Sequence, residues 1–268
     1  MLPHWTDDYV KVDDHQIHYY RTGHGEKPAV VLLHGFSDNG LCWLPVARDL
    51  EADYDVIMPD ARGHGLSARV VPGQETDGAG DAAGLIQALG LQKPVVGGHS
   101  MGGIVATEFG ARYPDLARGL VLEDPAWIDP DPQAPPLRRN PMFEWMLHID
   151  ELSLEEIMAK GQADNPTWPE IEMPAWAESK RQLDKHIFEA INVRNPWRQF
   201  VAAFQVPALL ITADVERGAI VPPERAQEAT NLSPLLQVAA IPNAGHNVRR
   251  ENYLAYMAAL RAFLHQLD

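Results

Sequence analysis

Short runs of aliphatic and β-branched residues recur along the chain and alternate with segments of helical spacing. Unbroken apolar runs of this length are typical of strands buried on both faces of a parallel sheet. The predicted strands are residues 29–33, 56–58, 95–96, 120–122, 208–211 and 236–241. The start of the chain alternates more, at 9–12 and 17–21, with the turn-forming Asp13 and Asp14 between. These segments predict an antiparallel hairpin at one edge of the sheet.

Helical spacing fills the segments between the strands. Apolar residues follow Ile104 at helical intervals until Tyr113 and Pro114, where the helix should end. Residues 253–264 repeat their apolar side chains at threes and fours and predict a closing amphipathic helix. The predicted fold class is α/β, a mostly parallel twisted sheet with helices on both faces.

The strand rhythm stops between residues 125 and 199, a segment that holds many prolines and most of the tryptophans. A flexible linker is the weaker interpretation, because large apolar side chains need something to bury against. We predict an inserted helical cap at 125–199, with helices at 144–160 and 175–191. The core would then consist of 1–124 and 200–268.

The strongest local motif is Gly98-His99-Ser100-Met101-Gly102, which follows a predicted strand and opens a predicted helix. Such a turn holds its serine strained and exposed, and side chains two positions either side would collide, which explains the glycines. The helix start also directs backbone N–H groups at developing negative charge. We predict that Ser100 is a nucleophile, and a merely flexible turn is the alternative.

A second motif, His34-Gly35-Phe36, directly follows strand 29–33. Gly35 permits a close turn that lets the Phe36 amide face inward. The amides of Phe36 and Met101 are the predicted oxyanion donors, each worth roughly 3 kcal/mol of transition-state stabilisation. We expect the His34 side chain itself to be a hydrogen-bonded core residue.

The third motif places Gly245 and His246 after the last predicted strand and before the final helix. Gly245 lets the chain bend so that the imidazole can take the proton of the serine hydroxyl and return it to a leaving group. We predict that His246 is the general base, and a loop-bracing histidine is the alternative.

An acid that orients this base is expected after strand 208–211. Asp214 lies just beyond that strand and is slightly favoured, while Glu216 has the other common spacing. Asp124, after another strand, is a third and weaker candidate. The sequence leaves this choice open.

The chain order of serine, acid and histidine resembles the α/β-hydrolase family. Residues 60–67, which read Asp-Ala-Arg-Gly-His-Gly-Leu-Ser, look like a turn that is structural in that family. The resemblance covers essentially the whole chain and implies an α/β-hydrolase fold. Ser100 stands where epoxide hydrolases and haloalkane dehalogenases of the family use an aspartate, which argues against those activities.

Composition restricts the partners and the location. Acidic residues outnumber basic ones by 37 to 22, and a formal net charge of −15 disfavours nucleic acid and anionic membrane surfaces. The histidines are scattered and Cys42 is the lone cysteine, so no metal, cofactor or intramolecular disulfide is expected. The first residues lack a secretory signal, and no apolar stretch approaches the roughly 20 residues of a membrane span. We expect a cytoplasmic protein, and its oligomeric state stays open.

These features predict a carboxylesterase or lactonase that acts on small to medium, largely apolar acyl groups through a covalent acyl-enzyme. Four cap residues are candidate pocket walls, although they could equally join cap to core: Trp145, Met142, Met146 and Trp176.

Two alternatives remain. Carbon–carbon hydrolysis of diketone acids is the runner-up, because arginines of the cap region could bind a carboxylate: Arg138, Arg139, Arg181, Arg194 and Arg198. A noncatalytic ligand sensor on the same fold is the rival from another class.

Overall fold

The computed structural model describes residues 1–129, 141–190 and 196–267. In these ranges eight strands form one sheet in the order β1-β2-β4-β3-β5-β6-β7-β8. They are β1 (Thr6–Val12), β2 (His15–Arg21), β3 (Ala29–Leu33), β4 (Asp55–Pro59), β5 (Val95–His99), β6 (Gly119–Glu123), β7 (Ala208–Thr212) and β8 (Leu236–Ala240). Strands β3 to β8 are parallel, and β1 and β2 pair antiparallel with their neighbours. The predicted α/β class is confirmed.

Helices pack on both faces of this sheet. The α-helices of the described residues are α1 (Leu44–Leu50), α2 (Gly78–Ala88), α3 (Met101–Arg112), α4 (Pro141–Glu144), α5 (Leu154–Asp164), α6 (Met173–Arg181), α7 (Ile187–Ala190), α8 (Trp197–Ala202), α9 (Pro223–Leu232), α10 (Val248–Glu251) and α11 (Tyr253–Leu267). Helices α2, α3, α8 and α9 share one apolar layer with the sheet, and α1 and α11 share the other. None of the helices described combines the length and apolar character that crossing a bilayer requires.

Residues of the central strands alternate between the two apolar layers, because successive strand side chains point to opposite faces. Val31 and Leu33 of β3 pack on the α2 and α3 side, whereas Val30 and Leu32 pack on the α1 and α11 side. Strands β3, β5 and β6 are buried at every position. Polar side chains near the centre of the sheet therefore lie mainly where these strands end.

The hairpin predicted at the edge of the sheet is confirmed. Strands β1 and β2 pair antiparallel with Val12 opposite His15, and the turn between them places Asp13 at a φ of 48°. Aspartate tolerates this left-handed conformation better than most residues because its short side chain can bond to nearby backbone.

The turn after β4 is held by Asp60, whose carboxylate is fully buried. Its Oδ1 accepts a hydrogen bond from the Gly40 amide at 2.7 Å, and its Oδ2 accepts from the Leu66 amide at 2.9 Å. The same Oδ2 lies 2.9 Å from Nδ1 of the buried His18. This carboxylate therefore ties β2, β4 and the segment after β3 together.

The helix predicted at 144–160 is interrupted in the structure. It consists of α4, a 3-10 helix (Trp145–Glu151) and α5. The Ser153 hydroxyl accepts from the Glu156 amide, and the Glu156 carboxylate accepts from the Ser153 amide. This reciprocal capping box begins a new helix, which the apolar spacing alone did not reveal.

The helix predicted at 175–191 is also interrupted, between α6 and α7. The Asp184 amide donates to the Gly63 carbonyl at 2.9 Å, and its Oδ2 accepts from the Val70 amide at 3.0 Å. Tertiary hydrogen bonds to the sheet domain override local helix propensity at this point.

Residues 141–190, between β6 and β7, are called the insertion below. One of its apolar clusters is internal and includes the buried Trp168 and Trp176. A second cluster brings Met146 and Phe188 against Val70 of the sheet domain. The insertion therefore has its own small core and a separate apolar contact with the rest of the chain.

The buried His18 makes stability depend on pH. Burial lowers the pKa of His18, but the hydrogen bond and charge of Asp60, with a smaller effect of Asp7, raise it above the ordinary value of 6.5. A raised folded-state pKa gives stability that is fully present below the unfolded pKa and is lost as pH rises through the folded pKa. We expect His18→Gln to reduce the free energy of unfolding more at about pH 5.5 than at about pH 8.5.

Urea unfolding at both pH values measures this difference. His265→Gln, which changes an exposed histidine of α11, is the matched control and should show little pH-dependent difference. If His18→Gln reduced the free energy of unfolding more at the higher pH, a raised pKa of His18 in the folded protein would be contradicted.

Candidate active site

Ser100 lies in a strained turn between β5 and α3. Its φ of 53° and ψ of −111° lie outside the common regions for a residue with a side chain. The Ser100 amide donates to the Glu123 carbonyl at 3.0 Å, and its own carbonyl accepts from the Ile104 amide at 3.0 Å. Bonds to β6 and to the first turn of α3 thus hold the conformation that exposes the hydroxyl.

The glycines of this turn are needed for close backbone approach. A Cβ at Gly98 would lie 2.2 Å from the carbonyl oxygen of Gly102, and a Cβ at Gly102 would lie 2.2 Å from that of Leu33. Larger residues would push β3, β5 and α3 apart, as the motif predicted.

His246 lies in the loop between β8 and α10, and its partner is Asp124 at the end of β6. Nδ1 of His246 is 2.6 Å from Oδ2 of Asp124, whose side chain is fully buried. The imidazole is partly exposed, with 27% of the side chain accessible. A hydrogen bond of this length to a buried carboxylate is of the charge-assisted kind, and it fixes the ring so that Nε2 is free to accept a proton.

The sequence favoured Asp214 and Glu216 as the acid beside His246, whereas the structure has Asp124 there. The loop after β7 binds this acid instead of supplying one: the Ile220 amide donates to Oδ2 at 2.8 Å and the Val221 amide to Oδ1 at 3.0 Å. With His246, the carboxylate accepts three hydrogen bonds, which compensate for its burial.

Asp214 and Glu216 have other environments. Oδ2 of Asp214 accepts from the Asn243 amide at 2.8 Å and lies 3.8 Å from Nε of Arg217. Asp214 therefore braces the loop that carries His246 but does not bind its ring. Glu216 is exposed on a 3-10 turn (Val215–Arg217). The structure therefore places Asp124, at the end of the strand next to β5, against the ring of His246, and neither of the two acids that the sequence favoured.

His99, the residue before Ser100, links the loop that carries His246 to the turn that carries Ser100. Its Nε2–H donates to the carbonyl of His246 at 2.9 Å, and the two rings lie 4.7 Å apart. Burial, followed by the neighbouring His246 and Arg249, holds the pKa of His99 well below its usual value, so the ring is neutral. A Cβ at Gly35 would lie 2.6 Å from Nδ1 of His99 and 3.5 Å from Cβ of Ser100, which places the segment after β3 directly beside Ser100.

His34 fixes the orientation of that segment. Its Nδ1–H donates to the Gly35 carbonyl at 2.8 Å, and its Nε2 accepts from the Ala61 amide at 3.0 Å. A trans peptide directs its C=O and N–H oppositely, so the Phe36 amide points away from the His34 ring. Burial lowers the pKa of His34, which keeps the ring in this neutral, doubly bonded state.

The amides of Phe36 and Met101 donate no hydrogen bond to any group in the part of the chain that the structure describes. Both lie beside Ser100, one on the segment after β3 and the other at the first position of α3. Both amides are therefore available as hydrogen-bond donors beside Ser100.

The candidate pocket residues separate into two groups. Phe36 packs edge-on against Phe143 and Phe188 of the insertion, at ring distances of 5.0 and 5.6 Å. These three rings are called the phenylalanine cluster below, and Met146 and Trp145 belong to the apolar group around it.

Trp176 lies in the internal core of the insertion, against Trp168 and Gly161. Its environment is that of a packing residue. The side chain of Met142 lies outside the described part of the chain.

Six buried charged side chains beside this site were not singled out from the sequence. They are Asp38, Glu123, Glu172, Lys180, Arg249 and Arg250, called the buried ion network below, and each is at most 5% exposed as a side chain. Glu123 precedes Asp124, and Arg249 follows His246 by three residues. Glu123 directly follows the apolar run 120–122, whereas Lys180, Arg249 and Arg250 stand in polar, charged segments that gave no sign of burial.

Comparisons with known proteins agree with this geometry. A sequence profile described as the alpha/beta hydrolase family matches residues 30–260. N-formylmaleamate deformylase of Pseudomonas putida is 29% identical over 264 residues, which cover 92% of this chain and 92% of that protein. Lipase 1 of Psychrobacter immobilis is 27% identical over 264 residues, covering 91% of this chain and 81% of that protein. The solved structure of an esterase from a Rhodococcus species covers 99% of this chain and 100% of its own, with a TM-score of 0.80 at 23% identity, which shows a shared fold.

The short contact between His246 and Asp124 predicts a spectroscopic signature. A proton held between Nδ1 and a buried carboxylate resonates far downfield in the proton NMR spectrum and exchanges slowly with water. We expect this resonance in the native protein and in Asp214→Asn, and expect its loss in Asp124→Asn and in His246→Gln. A resonance that disappeared in Asp214→Asn and persisted in Asp124→Asn would reassign the partner of His246.

Proposed function

Because the chain belongs to the alpha/beta hydrolase family, we propose that it hydrolyses carboxylic esters or lactones through a covalent acyl-enzyme on Ser100. The hydrogen bond from His246 to the buried Asp124, next to the strained Ser100, is the observation that carries the proposal. The proposed base and orienting acid lie beside His99, the residue before the proposed nucleophile Ser100.

In the proposed reaction His246 Nε2 takes the proton of the Ser100 hydroxyl as the oxygen attacks the substrate carbonyl. Asp124 stabilises the imidazolium and keeps its Nδ1–H in place. The tetrahedral intermediate collapses when His246 returns the proton to the departing alkoxide, and the alcohol leaves. A water molecule then gives His246 a proton as it attacks the acyl-enzyme. The second tetrahedral intermediate releases the carboxylic acid as His246 returns that proton to the Ser100 oxygen, which restores the hydroxyl and the neutral imidazole.

The amides of Phe36 and Met101 are the proposed oxyanion donors. Each donor of this kind contributes about 3 kcal/mol when it is already aimed at the developing charge. Met101 is the first residue of α3, so the positive end of the helix dipole supports the same charge. His34 contributes indirectly, since it holds the Gly35 carbonyl and thereby the Phe36 amide.

Acyl selectivity is assigned to the insertion, which we propose acts as a cap over the site within segment 125–199. Phe143 and Phe188 reach Phe36, whose backbone is a proposed oxyanion donor, so one wall beside the reacting carbon is apolar. Such a wall favours small to medium apolar acyl groups.

The relative named as a deformylase supports a second candidate, hydrolysis of an N-formyl amide, in which the proposed nucleophile and base would act in the same way. Recognition of an acidic substrate, in that reaction or in carbon–carbon hydrolysis, would need an available cation. Arg198 is already paired with Asp129 and Glu228, and Arg181 is exposed. Arg138, Arg139 and Arg194 lie outside the described residues. The apolar phenylalanine cluster beside the proposed oxyanion donor makes the neutral ester the first choice.

A substrate panel tests this choice. The panel contains p-nitrophenyl acetate and butyrate, a lactone, an N-formyl amide and a diketone acid, each measured as kcat/KM. We expect the esters or the lactone to be turned over best. Preference for the N-formyl amide would select the second candidate, and no turnover of any member would favour the ligand-sensor alternative.

Ser100→Ala tests the nucleophile. Ester turnover should fall on the order of a millionfold, because serine and histidine act as a unit. Covalent labelling by a fluorophosphonate should disappear, while circular dichroism stays unchanged. Labelling that persisted in Ser100→Ala would place the nucleophile elsewhere.

Asp124→Asn tests the orienting acid against its two competitors. An amide at this position favours the wrong imidazole tautomer, and kcat should fall by about ten-thousandfold. Glu216→Gln should change kcat little because that side chain is exposed. Asp214→Asn should cost far less than Asp124→Asn, since it only weakens a brace on the loop. A crippled Asp214→Asn variant beside a nearly active Asp124→Asn variant would reverse the assignment.

A further inference from the structure

The turn that carries the Phe36 amide is bent into an unfavourable backbone conformation. The Asp38 amide donates to the Gly35 carbonyl at 3.1 Å and closes a tight turn, in which Ser37 has a φ of 63°. A non-glycine residue in this region costs on the order of 1 kcal/mol or more. Contacts from outside the turn must therefore hold it.

One of these contacts comes from the insertion. Nζ of Lys180, on α6, donates to the Ser37 carbonyl at 2.8 Å and to Oδ1 of Asp38 at 2.8 Å. A third, longer bond of 3.3 Å reaches the hydroxyl of Ser179. The side chain of Lys180 is 2% exposed, and its ammonium also lies 4.9 Å from the ring of Trp176. All three donor positions of the ammonium are thus used, and two of them bind the turn.

Burial makes this contact specific. A buried ammonium requires a carboxylate and further acceptors, and the observed turn supplies the carboxylate of Asp38 and the carbonyl of Ser37. Burial alone would raise the pKa of Asp38, but the charges of Arg250, Lys180 and Arg249 hold it well below its usual value. Asp38 is therefore a carboxylate, and any other conformation of the turn would leave opposite charges buried and apart.

We propose that Lys180 is a positioning residue for the oxyanion hole: from the insertion, it holds the Ser37 carbonyl and the Asp38 carboxylate, and so sets the direction of the Phe36 amide. This inference rests on the proposed function, because it needs the Phe36 amide to bind the oxyanion. The insertion is then a part of the catalytic machinery as well as a wall of the pocket.

Lys180→Met tests the role, since methionine keeps much of the apolar stem and removes the ammonium. With p-nitrophenyl butyrate we expect kcat to fall about 10- to 100-fold, less than the roughly 100- to 1,000-fold loss that follows removal of an oxyanion donor. KM should change by less than about threefold, because the loss concerns the transition state. Binding of a trifluoromethyl ketone, which forms the tetrahedral adduct, should weaken in parallel with kcat.

Lys185→Met is the matched control. Lys185 is also an insertion lysine paired with an aspartate, Asp150, but it is partly exposed and has no contact with the turn. The kcat and KM of Lys185→Met should equal those of the native protein.

The double variant Asp38→Asn with Lys180→Met separates positioning from charge balance. It removes one charge of each sign, so the remaining charges of the buried ion network still cancel, and it also serves if Lys180→Met alone does not fold. Positioning predicts that kcat stays low in the double variant, because the ammonium is still missing. Recovery of native kcat would overturn the inference and reduce Lys180 to a counter-ion.

The outcome is distinguishable from failure of the proposed function. If Ser100→Ala remained active, the proposed nucleophile would be wrong whatever Lys180 does. If Ser100→Ala is inactive and Lys180→Met matches the native kcat, the proposed function stands and the role of Lys180 fails.

Discussion

Three buried carboxylates and three buried cations meet where the ends of the strands contact the insertion, and the catalytic geometry depends on their mutual neutralisation. Glu123 accepts from both the backbone and the guanidinium of Arg249 at 3.0 Å. Arg250 joins Asp38 and Glu172 at 2.9 and 3.2 Å. Charges removed from water are costly to separate, so this network permits few alternative arrangements of the segments that carry it.

Those segments are the ones that carry the proposed catalytic groups. Glu123 lies one residue before Asp124, Arg249 lies three after His246, and Asp38 lies two after Phe36. A buried ion network contributes little net stability compared with an apolar core of the same volume. Its value here is geometric, because it fixes the segments that carry the proposed acid, the proposed base and the proposed oxyanion donor relative to one another.

Backbone strain is concentrated in the same region. Ser37, Ser100, Asp124 and Asn243 all have positive φ without being glycine. Each is held by hydrogen bonds: Ser37 by Lys180, Ser100 by β6, Asp124 by the loop after β7, and Asn243 by Asp214. Strained residues of this kind persist only where surrounding contacts outweigh their cost, and they often mark reacting groups. The insertion supplies one of these contacts and two of the three rings of the phenylalanine cluster, so under the proposed function it influences both rate and acyl preference. Relatives named as a deformylase and a lipase align along most of the chain, which agrees with one fold supporting different substrates.

The sequence alone determined the features that depend on neighbouring residues. The parallel strands, the hairpin and the glycine-flanked serine turn follow from apolar runs and from close backbone approach. The positions of His34 and His246 follow from the same local patterns.

Tertiary structure decided which distant groups meet. Asp124 was only a third choice because several strands end in an acid, and only the order of strands in the sheet places β6 beside β5. The interruptions of two predicted helices and the pairing of Lys180 with Asp38 arise from contacts between residues far apart in the chain. No local pattern encodes such contacts, because their energy comes from burial and charge neutralisation that exist only once the chain has folded.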